Sequence, residues 1–147
     1  MSASLPRVGS IDHVELVVPN RYEAAQWYEK MLGLSPCNEY ERWAEEGGPL
    51  MVSSDGGTTK LALFEGSAER GRTPVRIAFR IDGVGFLRFV DQLNALSLSD
   101  ENGQRVTSSD VVDHERAFSL YFSDPYGTAL ELTTYDYETV EATLPTE

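Results

Sequence analysis

Two histidines, a few carboxylates and a pair of arginines are the residues of this chain that could do chemistry. His13 lies in Ile11-Asp12-His13-Val14-Glu15-Leu16-Val17-Val18, where Val14, Leu16 and Val18 alternate with His13, Glu15 and Val17. That period of two marks a strand with one face on a hydrophobic layer, and puts His13 and Glu15 on the other face. A second strand of the same kind, Pro74-Val75-Arg76-Ile77-Ala78-Phe79-Arg80-Ile81, places Arg76 where His13 stood, with Arg80 on the same face. A guanidinium there is a planar donor fork for a carboxylate or phosphate. Later, Ser119 and Tyr121 alternate with Phe118, Leu120 and Phe122, and Ala129, Glu131 and Thr133 alternate with Leu130 and Leu132. His114, in Asp113-His114, precedes the strand that carries Tyr121. It could serve as an acid or base near neutral pH, or be a structural loop histidine. No Ser/His/Asp or Cys/His arrangement is evident. Gly83-Val84-Gly85 lacks the third glycine and the lysine of a phosphate-cradling loop.

These residues need a scaffold, and the chain supplies it twice. After the first strand, Asn20 can cap a helix over about 21–32, with Glu23 reaching back to the cap and Gly33 ending it. Ala24, Trp27, Tyr28 and Met31 recur on its core side. Leu34 to Arg42 reads as an edge strand with Pro36 near its start, and Trp43 to Pro49 as a loop. Leu50–Ser53 and Thr59–Phe64 read as a hairpin around Asp55-Gly56-Gly57, with Lys60, Ala62 and Phe64 on the polar face. Gly66 to Thr73 is a polar linker. The pattern then repeats: the strand at 74–81, a helix over about 84–95 on Phe86, Phe89, Val90 and Leu93, a strand from Gln104 to Val112, then Ala117–Ser123, the turn Asp124-Pro125-Tyr126-Gly127, and Thr128–Tyr135. The order is β-α-β-β-β twice, an α+β fold: one module over 10–65, a second over 73–136, and an acidic, mobile or loosely docked tail over 137–147. Two such curved mixed sheets, each with a helix on its outer face, would enclose a cavity lined by their polar faces. Alternatively, two chains supply the wall.

Composition bounds the function. At 147 residues the chain is expected to form one domain with a real core. Its formal net charge of −12, from 24 acids against 12 bases, argues against nucleic acid and anionic membranes as partners. The one basic run, Arg70, Arg72, Arg76 and Arg80, sends only Arg76 and Arg80 to a shared face. Cys37 is alone, so no internal disulfide forms, and a cytoplasmic location is the default expectation. The first six residues carry neither a basic region nor an apolar run, so no signal peptide is expected, and no stretch approaches the length of a membrane span.

The two halves resemble the vicinal oxygen chelate superfamily, which includes glyoxalase I, bleomycin-resistance proteins, fosfomycin-resistance enzymes and extradiol dioxygenases. The resemblance rests on Ile11-Asp12-His13-Val14, on Tyr28-Glu29-Lys30-Met31-Leu32-Gly33-Leu34, on Val112-Asp113-His114, and above all on the string from Tyr121 to Glu131, YFSDPYGTALE. It implies a small-molecule ligand in the sheet cavity, a homodimer, and a divalent metal (Fe, Mn, Ni or Zn) acting as Lewis acid in lyase, isomerase or dioxygenase chemistry. The implied metal positions are His13, Ala62, Arg76 and Glu131. Glu131, Glu15 and His114 are the implied catalytic groups. Arg76 departs from the pattern, because arginine stays protonated and has no lone pair to give. The rival expectation is therefore a metal-free sequestering protein of the drug-resistance kind. In it, an Arg76–Glu131 ion pair replaces the metal, and Arg76, Phe64, Tyr121 and Arg80 contact the ligand.

Overall fold

The computed structural model describes residues 10–67 and 76–144. They form two compact units, one on each side of residues 68–75. The linker from residue 68 on, Pro74 and Val75 of the second module's first strand, the first nine residues and the last three lie outside the described residues.

The first unit begins with β1 (His13–Val18) and α1 (Arg21–Leu32). The Asn20 side chain caps α1, accepting hydrogen bonds from the backbone N–H groups of Tyr22 and Glu23, both at 3.0 Å. Gly33 ends it at φ 70°, a conformation that costs a residue with a Cβ but not glycine. β2 is only Ser35–Pro36, followed by a 3-10 turn at Asn38–Tyr40 and α2 (Glu41–Glu45). The expected strand to Arg42 and the loop from Trp43 are thus corrected to a short edge and a helical segment. Two interactions favour the helical path: the Tyr40 and Trp43 rings, three residues apart, stack at 4.6 Å, and the Arg21 guanidinium donates to the carbonyls of Ala44, in the last turn, and Gly48, beyond it. β3 (Leu50–Ser53) and β4 (Lys60–Glu65) complete a sheet in the order β1-β4-β3-β2, with only the β1–β4 pair parallel. Tyr28, Leu34, Val52, Leu61 and Leu63 are buried where α1 covers β3 and β4, and burying each side chain stabilises by roughly 1.5–3 kcal/mol.

The second unit repeats the plan with β5 (Arg76–Arg80), α3 (Gly83–Asp91), α4 (Leu93–Leu96), β6 (Val112–Asp113), β7 (Phe118–Ser123) and β8 (Ala129–Thr134), in the sheet order β5-β8-β7-β6. Phe86, Leu93, Leu120, Phe122 and Leu130 fill its core. The strand expected from Gln104 to Val112 shrinks to a bridge between Ser99 and Arg105 and to β6. Here Thr107 and Asp110 form a capping box around a 3-10 turn, and the Asp110 carboxylate takes the Thr107 N–H (2.8 Å) that a ladder would need.

After β8 the described chain is not a loose tail. It forms α5 (Tyr137–Thr143), with Val140 fully buried. The Tyr137 ring stacks on Phe118 at 4.7 Å, and its hydroxyl donates to the Asp113 carboxylate at 2.8 Å, a bond that is the main cause of its pKa being pushed up to about 12. Asp136 accepts the Gly83 N–H at 2.6 Å. A Cβ at Gly83 would stand 2.8 Å from that of Asp136, so the close approach of α3 and α5 needs glycine there. Among the described residues no helix is long and apolar enough to cross a membrane.

Candidate functional site

On the first unit the polar face is built from β1 and β4 in register, His13 beside Lys60, Glu15 beside Ala62 and Val17 beside half-buried Phe64. His13 is held between two carboxylates, with Nδ1 2.8 Å from Asp12 Oδ2 and Nε2 3.6 Å from Glu15 Oε1. Asp12, chiefly, and Glu15 raise its pKa above the ordinary 6.5, because both favour the imidazolium. The same contact, followed by Lys60, lowers that of Asp12. Lys60 is only 6 % exposed; its ammonium donates to Asp12 Oδ1 at 3.1 Å and to the Gly57 carbonyl, and lies 5.7 Å from the centre of the Tyr40 ring. Lys60 thus pairs with Asp12, not with Glu15. Burial raises the pKa of the half-buried Cys37 thiol, which weighs against a nucleophilic role.

The pH dependence has a definite sign. A raised histidine pKa contributes stability that is present below the unfolded value of 6.5 and is lost as pH rises through the folded value. The lowered Asp12 pKa acts oppositely, its contribution being lost as pH falls below 3.8 through the folded value. The His13 ring-proton NMR titration is expected to have its midpoint above 6.5 in the native chain and to move back toward 6.5 in Asp12→Asn. A native midpoint at or below 6.5 would show that the carboxylates do not hold the ring.

The second unit has a different centre. Along its polar face the rows are Arg76–Ala129–Ser123, Ala78–Glu131–Tyr121 and Arg80–Thr133–Ser119. The Ser119 hydroxyl donates to that of Thr133 at 3.1 Å. The Arg76 guanidinium reaches across β8 to lie 4.7 Å from the centre of the Tyr121 ring, and it donates to Glu101 Oε1 at 2.6 Å. The expected Arg76–Glu131 pair is therefore corrected, since Arg76 takes its carboxylate from the 100–103 turn. That turn is braced by Asp100, which accepts from the N–H groups of Asn102 (2.8 Å) and Gln104 (2.9 Å). Tyr121 and His114 meet, hydroxyl to Nε2, at 2.8 Å. Arg80 lies over the Tyr135 ring at 4.6 Å. Glu131 sits half-buried at the middle of β8, and no hydrogen bond or ion pair ties its carboxylate to another described residue.

The sequence reading singled out Arg76, Tyr121, His114 and Glu131, and the second unit carries all four on or beside one sheet face. It missed Glu101, Asp12 and Tyr40. Asp12 had a signal, its place next to His13. Glu101 had none, because its partner is far along the chain and the two meet only through the path of a turn.

This double β-α-β-β-β arrangement, each sheet with its parallel outer pair, agrees with comparison to known proteins. The family model of the Glyoxalase/Bleomycin resistance protein/Dioxygenase superfamily matches residues 10–132. The chain belongs to this superfamily. Among solved structures, it is similar to the oxidase ChaP-H2 (20 % identity, TM-score 0.65, covering 91 % of this chain and 99 % of that one). It is similar also to the fosfomycin resistance protein FosX from Mesorhizobium loti (17 %, 0.59, 87 % and 93 %). A third is a mutant FosX from Listeria monocytogenes complexed with Mn(II) and 1S,2S-dihydroxypropylphosphonic acid (15 %, 0.64, 90 % and 97 %). At these identities the likeness shows the fold alone. No curated protein matches the chain.

The superfamily implies a metal, and the donor set here does not fit one. Of the four implied positions, Ala62 has no donor atom and Arg76 brings a cation with no lone pair. That leaves His13 and Glu131 as the implied positions with donor atoms, one short of the three protein ligands that a catalytic zinc usually has. Among the described residues, no group of three or more His, Cys, Asp or Glu side chains could hold an ion.

Proposed function

We propose that this superfamily member binds a small anionic molecule on the polar face of its second sheet without a metal, Arg76 supplying the positive charge. The observation that carries the reading is Arg76 itself, seated on the Tyr121 ring and holding a carboxylate oxygen of Glu101 at 2.6 Å. A guanidinium braced on an aromatic face presents its fork in a fixed plane, which suits a carboxylate or phosphonate. The Glu101 pair is half-exposed on both sides, and such pairs contribute only about 0–1 kcal/mol, so an incoming anion can take its place at small cost. Next to the anion stands the His114–Tyr121 pair, the acid–base equipment of this face. That pair could move a proton on a bound ligand, whereas a donor set that does not fit a metal makes sequestration of the drug-resistance kind the simpler role. Glu15 and Phe64 belong to the first unit, and no step is assigned to them.

The test is a titration of the protein with acetate, benzoate and methylphosphonate, followed by NMR of the Arg76 Nε–H and the Tyr121 ring. The expected result is saturable binding of at least one anion with the same affinity in EDTA and in added manganese. Binding that arises only with a divalent metal and vanishes in EDTA would overturn the proposal.

A further inference from the structure

We infer that the ligand of this face is a zwitterion, an amino carboxylate whose acid group meets Arg76 and whose ammonium group meets Glu131. The inference rests on the anion-binding reading and adds the second charge. Glu131 is the reason for it. It stands on the central part of the sheet, on β8 between β5 and β7, in the row Ala78–Glu131–Tyr121. It is half-buried, and no cation among the described residues engages it. The basic side chains of the same face are committed elsewhere, Arg76 to Glu101 and Tyr121, and Arg80 to the Tyr135 ring. The hydroxyls of the next row are spent on each other, Ser119 donating to Thr133.

A carboxylate in such a place, in register with Ala78 on one side and Tyr121 on the other and with no cation of its own among the described residues, is open to the cationic group of a ligand. Arg76 and Glu131 are offset by one strand and by two residues along it. From the strand spacing and rise, that puts their Cβ atoms about 8 Å apart. The two side chains therefore offer one positive and one negative anchor on a single face, spaced for the two ends of a small amino acid. The superfamily's implied vicinal-oxygen ligand needs no positive end. An amine does.

The experiment compares alanine, β-alanine and γ-aminobutyrate with their N-acetyl counterparts, by calorimetric or NMR titration of the native chain and of Glu131→Gln. N-acetylation removes the positive charge and keeps the carboxylate. The expected result is that at least one free amine binds tenfold or more tighter than its N-acetyl form. In Glu131→Gln the ratio falls to near one, because the free amines lose their advantage while the N-acetyl acids still bind. If the N-acetyl acids bind the native chain as tightly as the free amines, the zwitterion inference is overturned while anion binding by Arg76 stands. The same holds if the preference for amines survives in Glu131→Gln. If neither form binds, the anion-binding reading falls and this inference falls with it.

Discussion

Val140→Asp is expected to lower the stability of the chain by about 3–5 kcal/mol, as measured by the urea midpoint at neutral pH. Val140 is 0 % exposed, on a helix near the end of the chain whose composition is acidic. The substitution would place an unpaired carboxylate against apolar neighbours, and burial of an uncompensated charge is among the largest single-residue effects. The helix cannot easily swing away to relieve it. Tyr137 is stacked on Phe118 and bonded to Asp113, and Asp136 holds the first N–H of α3. Glu141→Gln, on an exposed position of the same helix, is the control and should stay within about 0.5 kcal/mol. A Val140→Asp midpoint within that same range would show that the helix is not part of the folded core.

The second large effect is on binding. Arg76→Ala is expected to weaken the best anion found in the titration by roughly ten- to hundredfold, since a hydrogen bond to a charged group contributes about 1.5–3 kcal/mol. Arg76→Lys should recover only part of the loss. Lysine restores the charge, but its ammonium has neither the planar fork nor the flat surface that lies over Tyr121. Because the Arg76 side chain is 43 % exposed, neither variant should move the urea midpoint by more than about 1 kcal/mol, which separates a binding effect from unfolding. Unchanged affinity in Arg76→Ala would remove Arg76 from the site.

Much of this protein can be read from its residues, for identifiable reasons. The period-two pattern of β1, β5, β7 and β8 dictates which side chains leave the core, because successive residues of a strand face opposite ways. That was enough to place Arg76, Arg80, Ser119, Tyr121, Glu131 and Thr133 on one face. The first helix was legible from both ends, since Asn20 and Gly33 are the residues that its unpaired N–H and C=O groups require. The repeat itself placed Arg76 where His13 stands in the first module, at an implied metal position, and with it the argument against a metal.

Three features were decided only in three dimensions. The stretch 38–45 coils because Tyr40 finds Trp43 and because Arg21, far back in the sequence, satisfies the carbonyls of Ala44 and Gly48 at its end. The acidic end becomes a helix because Val140 and Tyr137 find Phe118 and α3, whereas acidic composition by itself indicates only solvation. Arg76 pairs with Glu101 and leaves Glu131 without an ion pair among the described residues. Alternation sets the face a side chain leaves from. Its partner depends on how far a long side chain can lean and where a turn carries its carboxylate, and both are properties of the folded backbone.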